Sequence, residues 1–106
     1  MSMGNVNPNL FRQAQSVQKR LMDLREELKD RIVEGAAAGG LVTAFTNGNG
    51  ELVKITIQKD VVDPADISTL EDLVVAAVQK SLEESQKLQQ TEMTKITGGM
   101  HIPGVF

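Results

Sequence analysis

Cysteine, tryptophan and tyrosine are absent from this sequence of 106 residues, which also has only three phenylalanines and one histidine. Without cysteine the chain forms no disulfide, no thiolate zinc site and no cysteine nucleophile, so a cytoplasmic location is the simplest expectation. Without tyrosine or tryptophan, nucleobases cannot stack on those rings. No stretch approaches the ~20 apolar residues of a membrane span, and no export signal is visible near the N-terminus, so we expect no membrane partner.

The residue groups that carry out catalysis or hold cofactors are also missing. The sequence has no phosphate-binding loop, no dinucleotide-binding motif and no pair of histidines at zinc-binding spacing. The single histidine, His101, has no carboxylate near it in sequence, and the acids at 60–72 lack the alternating ligands and central glycine of a calcium loop. We therefore predict that the protein is not an enzyme and has no catalytic residues, no metal, no cofactor and no small-molecule substrate.

The length of the chain predicts a single domain, residues 1–106, with flexible tails at 1–7 and 98–106. Its formal net charge is −3, which argues against indiscriminate binding to DNA or anionic lipid. The charge is unevenly distributed, because residues 1–35 hold six basic and five acidic groups whereas residues 36–106 hold five basic and nine acidic groups. The basic excess therefore lies in the N-terminal third.

A first helix is predicted over residues 8–30. Asn7 supplies an N-cap side chain, and Pro8 suits the first helical position, where its missing N–H costs nothing. Apolar residues then recur in a heptad pattern. The helix would be roughly 35 Å long, longer than a three-stranded sheet is wide, so part of this apolar seam should face a second chain. The seam, which we predict to be a dimer interface, consists of Leu10, Ala14, Val17, Leu21, Leu24 and Leu28.

Three strands are predicted in the middle of the chain, at 31–36, 41–46 and 53–58. The third alternates cleanly between β-branched and polar residues, as a half-buried strand does. Small residues at 35–40 indicate a flexible connection between the first two strands. The Asn-Gly-Asn-Gly run at 47–50 predicts a tight hairpin between the second and third, because Asn and Gly readily adopt positive φ.

A second helix is predicted to begin near Thr69, because Ser68 and Glu71 have the spacing of a capping box, and to run for about 28 residues. Its first half is apolar over a wide arc and should cover the sheet. Its polar second half should project beyond the core. Gly98 is expected to end the helix.

Basic side chains on the first helix are predicted to form an exposed stripe. If the seam occupies heptad positions a and d, Arg12 and Lys19 fall at position f, opposite the seam, and Arg20 falls at the adjoining g position. Such charges are more often simply the solvated face of an amphipathic helix. The stripe alone is therefore weak support for a polyanion site.

Several stretches of the chain resemble the YbaB/EbfC nucleoid-associated family. In the first helix the similar residues are at 9–15, at Gln18 and at 22–28. The later similar stretches are 39–42, 71–77, 92–93 and 99–100. Each stretch is short, but together they span nearly the whole chain in one order, and this order carries the resemblance.

This resemblance implies an α+β fold of order α-β-β-β-α, with a three-stranded antiparallel sheet and two long helices, assembled as an intertwined, tweezer-like homodimer. It also implies a bacterial protein of the nucleoid that binds duplex DNA with little sequence preference. The Asn-Gly-Asn-Gly hairpin and the alanines at 36–38 depart from the usual family pattern. The positions that the resemblance implies for DNA binding are Arg12, Lys19 and Arg20 on the first helix and Lys87 and Lys95 on the last.

Two functional hypotheses follow. The leading one is a dimeric DNA-binding protein that organises or bridges the chromosome, or regulates expression, through phosphate contacts. The alternative is an acidic dimeric module whose helical arms bind a protein partner. The salt dependence of binding distinguishes the two hypotheses. Binding to phosphates weakens steeply as ionic strength rises, whereas binding of a partner in an apolar helix groove is far less sensitive to salt.

Overall fold

Two helices accompany a three-stranded antiparallel sheet in the computed structural model, which describes residues 8–98. The strands pair in the order β1-β2-β3. The α+β class and the α-β-β-β-α order are confirmed, and the predicted bounds of the first helix and the strands are correct to within one residue. In chain order the elements are α1 (Pro8–Lys29), β1 (Ile32–Ala37), β2 (Val42–Asn47), β3 (Leu52–Ile57) and α2 (Ile67–Thr97).

The connection between β1 and β2 is a single tight turn. Ala38, Gly39 and Gly40 all have positive φ, at 52°, 67° and 96°, and the Leu41 N–H donates to the Ala38 carbonyl. Glycine adopts this left-handed backbone freely, whereas the Cβ of Ala38 is crowded by the following carbonyl. The small residues that indicated a flexible connection therefore form a left-handed turn instead.

The start of α2 differs from the prediction. The helix begins at Ile67, and its N-cap is Asp66, whose carboxylate accepts hydrogen bonds from the Thr69 N–H and hydroxyl at 3.3 and 2.6 Å. The Ser68 and Glu71 pair therefore lies within the helix and is not the cap. An aspartate N-cap satisfies an otherwise free helix N–H in the same way as serine. At its other end the helix stops at Gly98, which has a φ of 65°, as predicted.

The core is made by small residues that bring α2 close to the sheet. A Cβ on Gly35 would overlap the backbone nitrogen of Ser81 and lie 2.6 Å from the carbonyl of Ala77. The Ser81 hydroxyl is 2.6 Å from that of Thr46, and both side chains are fully buried. Glycine, alanine and serine thus allow close contact, and the hydroxyls satisfy each other where water is excluded. The buried apolar residues at the centre are Ala37, Val42, Ala44 and Ala77.

The described part of the chain is strongly elongated, with extents of 72 × 24 × 21 Å and a radius of gyration of 20.1 Å. A compact domain of this length has a radius of gyration of about 13 Å. Because six-residue strands span only about 20 Å, the long dimension comes from helices that extend past the sheet. We call residues 30–85 the body and the helical residues 8–29 and 86–97 the arm.

Candidate nucleic-acid interface

The predicted basic stripe lies on the exposed part of the arm. Arg12, Lys19 and Arg20 are all exposed, as are all residues of α1 from 8 to 16. None of the three side chains is within salt-bridge distance of a carboxylate from residues 8–98. Arg12 and Lys19 are two helical turns apart, or about 10 Å along the axis, on one face of the helix. Their charges are therefore available to an external anion.

The two basic residues expected on α2 are exposed but paired. The Lys87 ammonium lies 3.2 Å from the Glu84 carboxylate, and the Lys95 ammonium lies 3.0 Å from the Glu92 carboxylate. A neighbouring carboxylate offsets the field of a lysine toward an approaching phosphate. Lys87 and Lys95 are therefore less available to an external anion than the side chains of the stripe on α1.

An ion-pair cluster connects the arm to the start of the sheet. The Glu92 carboxylate accepts from Lys95 and also from the guanidinium of Arg31, at 3.2 Å, and its side chain is only 15% exposed. The hydrogen bond from Lys95 and, to a lesser extent, the one from Arg31 lower the pKa of Glu92 below its usual range. Sequence reasoning did not identify this cluster, because no local spacing links residues 61 positions apart.

The heptad seam has two different environments. Leu24 and Leu28 are buried within the chain at 7% and 4% exposure, and Val17 and Leu21 are half-buried. Leu10, at 62%, and Ala14 are exposed. The C-terminal half of the seam thus packs inside the chain, whereas its N-terminal end is exposed.

A groove of about 740 Å³ runs between α1 and α2. Its apolar lining comes from Leu21, Leu24, Leu28 and Met93. The remaining lining is polar and includes both signs of charge. Sequence reasoning did not predict this groove, because its residues come from three separate segments. The polar lining residues are Arg25, Asn49, Glu83, Gln86, Lys87, Gln89 and Gln90.

Exposed apolar side chains also occur along β3. Helix α2 packs on β1 and β2, which leaves Leu52, Val53 and Ile57 exposed by 49%, 58% and 41%. Val62, between β3 and α2, and Ile67, the first residue of α2, are half exposed as well. We call these five residues the β3 patch. Large exposed apolar side chains at the edge of a sheet are typical of a surface that another chain covers.

The remaining predicted features give no further site in the described residues. His101 and the predicted tail at 1–7 lie outside them, as does the predicted tail at 98–106 apart from Gly98. Two acids of the 60–72 run have local roles, because Asp66 caps α2 and Asp63 accepts from the Ala65 N–H. Within residues 8–98 we find no cluster of acids and histidines able to hold a metal ion. In the same part of the chain, neither helix has the length and apolar character needed to cross a membrane.

Comparison with known proteins gives consistent matches. The profile of the YbaB/EbfC DNA-binding family matches residues 3–100. A nucleoid-associated protein of Thermoanaerobacter pseudethanolicus is 49% identical over 102 residues, which cover 96% of this chain and 91% of the relative. One from Desulforamulus reducens is 42% identical over 106 residues, the whole of both chains. The crystal structure of an uncharacterised Helicobacter pylori protein has the same fold, with a TM-score of 0.76 at 21% identity, covering 89% of this chain and 100% of that one.

Proposed function

The chain belongs to the YbaB/EbfC DNA-binding family, and from this membership we propose that it binds duplex DNA mainly through phosphate contacts and with little sequence preference. The family is a DNA-binding family rather than an enzyme family. Such a protein acts in the nucleoid, within the cytoplasm, where it organises or bridges the chromosome or regulates expression.

The separation of charge between arm and body carries this proposal. The arm holds seven basic and four acidic residues, a net charge of +3, whereas the body holds four basic and ten acidic residues, a net charge of −6. At physiological ionic strength charges are screened over about 8 Å, and the arm extends well beyond that from the body. A duplex at the arm would therefore experience a positive surface, although the chain as a whole is acidic.

Within the arm, the stripe of Arg12, Lys19 and Arg20 is the proposed main contact. Its members are exposed and have no carboxylate partner within residues 8–98, so binding a phosphate breaks no ion pair there. Arginine and lysine bind phosphates whatever the base sequence, which supports binding without sequence preference. Lys87 and Lys95 contribute less, because DNA must compete with the glutamates that pair with them.

We also propose that two chains assemble as a tweezer-like homodimer. The β3 patch and the exposed seam residues Leu10 and Ala14 are the apolar surfaces that a second copy would cover. Covering both would place two positive arms in one assembly. Light scattering at micromolar concentration should give twice the chain mass, and a monomer mass would contradict this part of the proposal.

Fluorescence anisotropy with several unrelated duplexes tests the DNA-binding proposal. The parent should bind all of them with similar affinity, and binding should weaken steeply as salt rises, because cations are released from the phosphates. The double variant Arg12→Gln/Lys19→Gln should bind every duplex more weakly. The slope of log affinity against log salt should fall by about one for each lost contact.

A matched control removes two charges from the body. Lys54→Gln/Lys59→Gln changes the net charge by the same amount at exposed positions away from the arm, and it should leave the salt slope unchanged. Equal effects of the two double variants would mean that only total charge matters. Binding that the arm variant leaves intact would favour the alternative, in which the groove between α1 and α2 holds a protein partner.

A further inference from the structure

The hairpin turn between β2 and β3 contacts both helices of the arm at the point where they meet the body. Gly48 donates its N–H to the Leu28 carbonyl at 2.9 Å and accepts from the Gln89 side chain at 2.7 Å. Leu28 is in the last turn of α1, and Gln89 is on α2. A single residue of the turn is thus hydrogen-bonded to both helices.

Two neighbouring contacts reinforce this connection. The Asn49 side-chain amide donates to the Arg25 carbonyl of α1 at 2.9 Å. The buried hydroxyl of Ser85 on α2 donates to the Asn47 carbonyl at 2.8 Å. Of the two α1 carbonyls that the turn contacts, that of Leu28 lies in the last turn, where carbonyls lack partners within the helix. The turn therefore supplies fixed donors to the end of α1.

The side chain of Asn47, which is only 5% exposed, forms hydrogen bonds across the turn. Its oxygen accepts from the backbone N–H groups of Asn49 and Glu51, both at 3.0 Å, and its amide donates to the Glu51 carboxylate at 2.9 Å. Among residues 47–50 only Gly50 has a positive φ, of 83°. The shape of the hairpin therefore depends on the side chain of Asn47 as well as on glycine.

Close packing explains the glycine at position 48. A Cβ there would lie 2.7 Å from Leu28 Cδ2, 2.8 Å from Leu28 Cβ and 2.9 Å from the Leu28 carbonyl oxygen. These distances are shorter than ordinary van der Waals contacts, so α1 would have to move. The end of α1 thus lies directly against the turn.

We infer that the hairpin turn at 47–50 is the joint that sets the direction of α1 relative to α2 and so positions the DNA-contacting stripe. Arg12 lies about 24 Å along the helix from Leu28, so a change of 15° in the direction of α1 would move Arg12 by about 6 Å. This inference rests on the proposed function, because the stripe is the surface that the joint positions.

The distance between the two helices tests the joint without DNA. Because the chain has no cysteine, Gln13→Cys on α1 and Gln79→Cys on α2, both exposed positions, can carry spin labels for pulsed dipolar spectroscopy. Labelled chain should be diluted with an excess of unlabelled chain, so that only distances within one chain are measured. We expect a narrow distribution for the parent.

The double variant Asn49→Ala/Gln89→Ala removes one hydrogen bond from the turn to each helix. We expect its distance distribution to broaden and shift by several ångströms, and its affinity for duplex DNA to fall several-fold although no basic residue has changed. The matched control is Gln86→Ala, which lines the same groove but makes no hydrogen bond to the turn among the described residues. It should leave the distances and the affinity unchanged.

A distribution for the double variant that matches the parent would overturn the inference, as would a broadened distribution with unchanged DNA affinity. Circular dichroism and thermal melting verify that the variants are folded. If the double variant does not fold, Asn49→Ala alone supplies the same comparison, because it removes only the bond to Arg25. A parent that binds no DNA would contradict the proposed function, whereas the distances would still decide whether the turn is a joint.

Discussion

The body and the arm are built from opposite kinds of residue, although α2 runs through both. In the body, Gly35, Ala77 and Ser81 bring the helix and the sheet into close contact. In the arm, long charged side chains such as Arg12 and Lys19 extend into solvent. The body is therefore sensitive to volume and tolerant of charge at its surface, whereas the exposed part of the arm is sensitive to charge and direction. Changes in the two regions should affect different properties.

The largest effect is expected from adding a methyl group at the centre of the body. In Gly35→Ala the new Cβ would overlap the Ser81 nitrogen and lie 2.6 Å from the Ala77 carbonyl. Because backbone atoms cannot move aside as a side chain can, we expect a loss of about 3 kcal/mol in the free energy of unfolding. Urea denaturation followed by circular dichroism measures this loss.

Gly39→Ala is the matched control for the packing of Gly35. A Cβ at position 39 meets no atom within 4 Å, but the residue has a φ of 67°. The loss should be about 0.5 to 1 kcal/mol, because the left-handed backbone costs alanine more than its reduced freedom in the unfolded chain returns. Equal losses at the two glycines would show that close packing does not govern the body.

Two leucine substitutions in the heptad seam should have different effects, one on folding and the other on assembly. Leu24→Ala removes a buried side chain and should cost about 2 to 3 kcal/mol of unfolding free energy. Leu10→Ala changes a side chain that is 62% exposed, and it should cost less than about 0.5 kcal/mol in a single chain. If a second copy covers Leu10, the same change will raise the dissociation constant of the dimer, which analytical ultracentrifugation measures. No change in that constant would remove Leu10 from the proposed interface.

Ala38→Gly should stabilise the body slightly. Ala38 has a φ of 52°, where an alanine Cβ is crowded and glycine is not. The greater freedom of glycine in the unfolded chain offsets part of this gain, so we expect a net stabilisation of about 0.5 kcal/mol. Thermal melting should therefore show a higher Tm, and a lower one would contradict strain at this turn.

The smallest effect should come from the ion pairs between body and arm, and it should depend on pH. The pKa of Glu92 is lowered in the folded chain by Lys95 and Arg31. A lowered pKa means that the carboxylate contributes stability at neutral pH and loses this contribution as the pH falls through its folded value. Glu92→Gln should therefore be less stable than the parent at neutral pH and equally stable in acid. A difference independent of pH, in urea titrations at several pH values, would exclude this ionic contribution.

Most of the fold could be predicted from the sequence. The heptad spacing from Leu10 to Leu28 identified α1, the alternation over 53–58 identified β3, and the resemblance to a family supplied the order of elements. The predicted start of α2, near Thr69, was two residues too late. Asp66 and Ser68 are both residue types that cap helices well, and only Asp66 does so here. The exposure of the basic stripe was also predicted from residue spacing, since the helical period determines which residues share a face.

The sequence by itself determined the identity of the elements and the side of α1 that carries charge, because these depend on neighbours within one or two turns. Only the tertiary structure decided which half of the seam is buried, which glutamate pairs with Arg31, and that Gly48 joins both helices. These contacts link positions that are far apart in the chain. Their partners are selected by how the sheet and helices close around one another, and local periodicity carries no information about that closure.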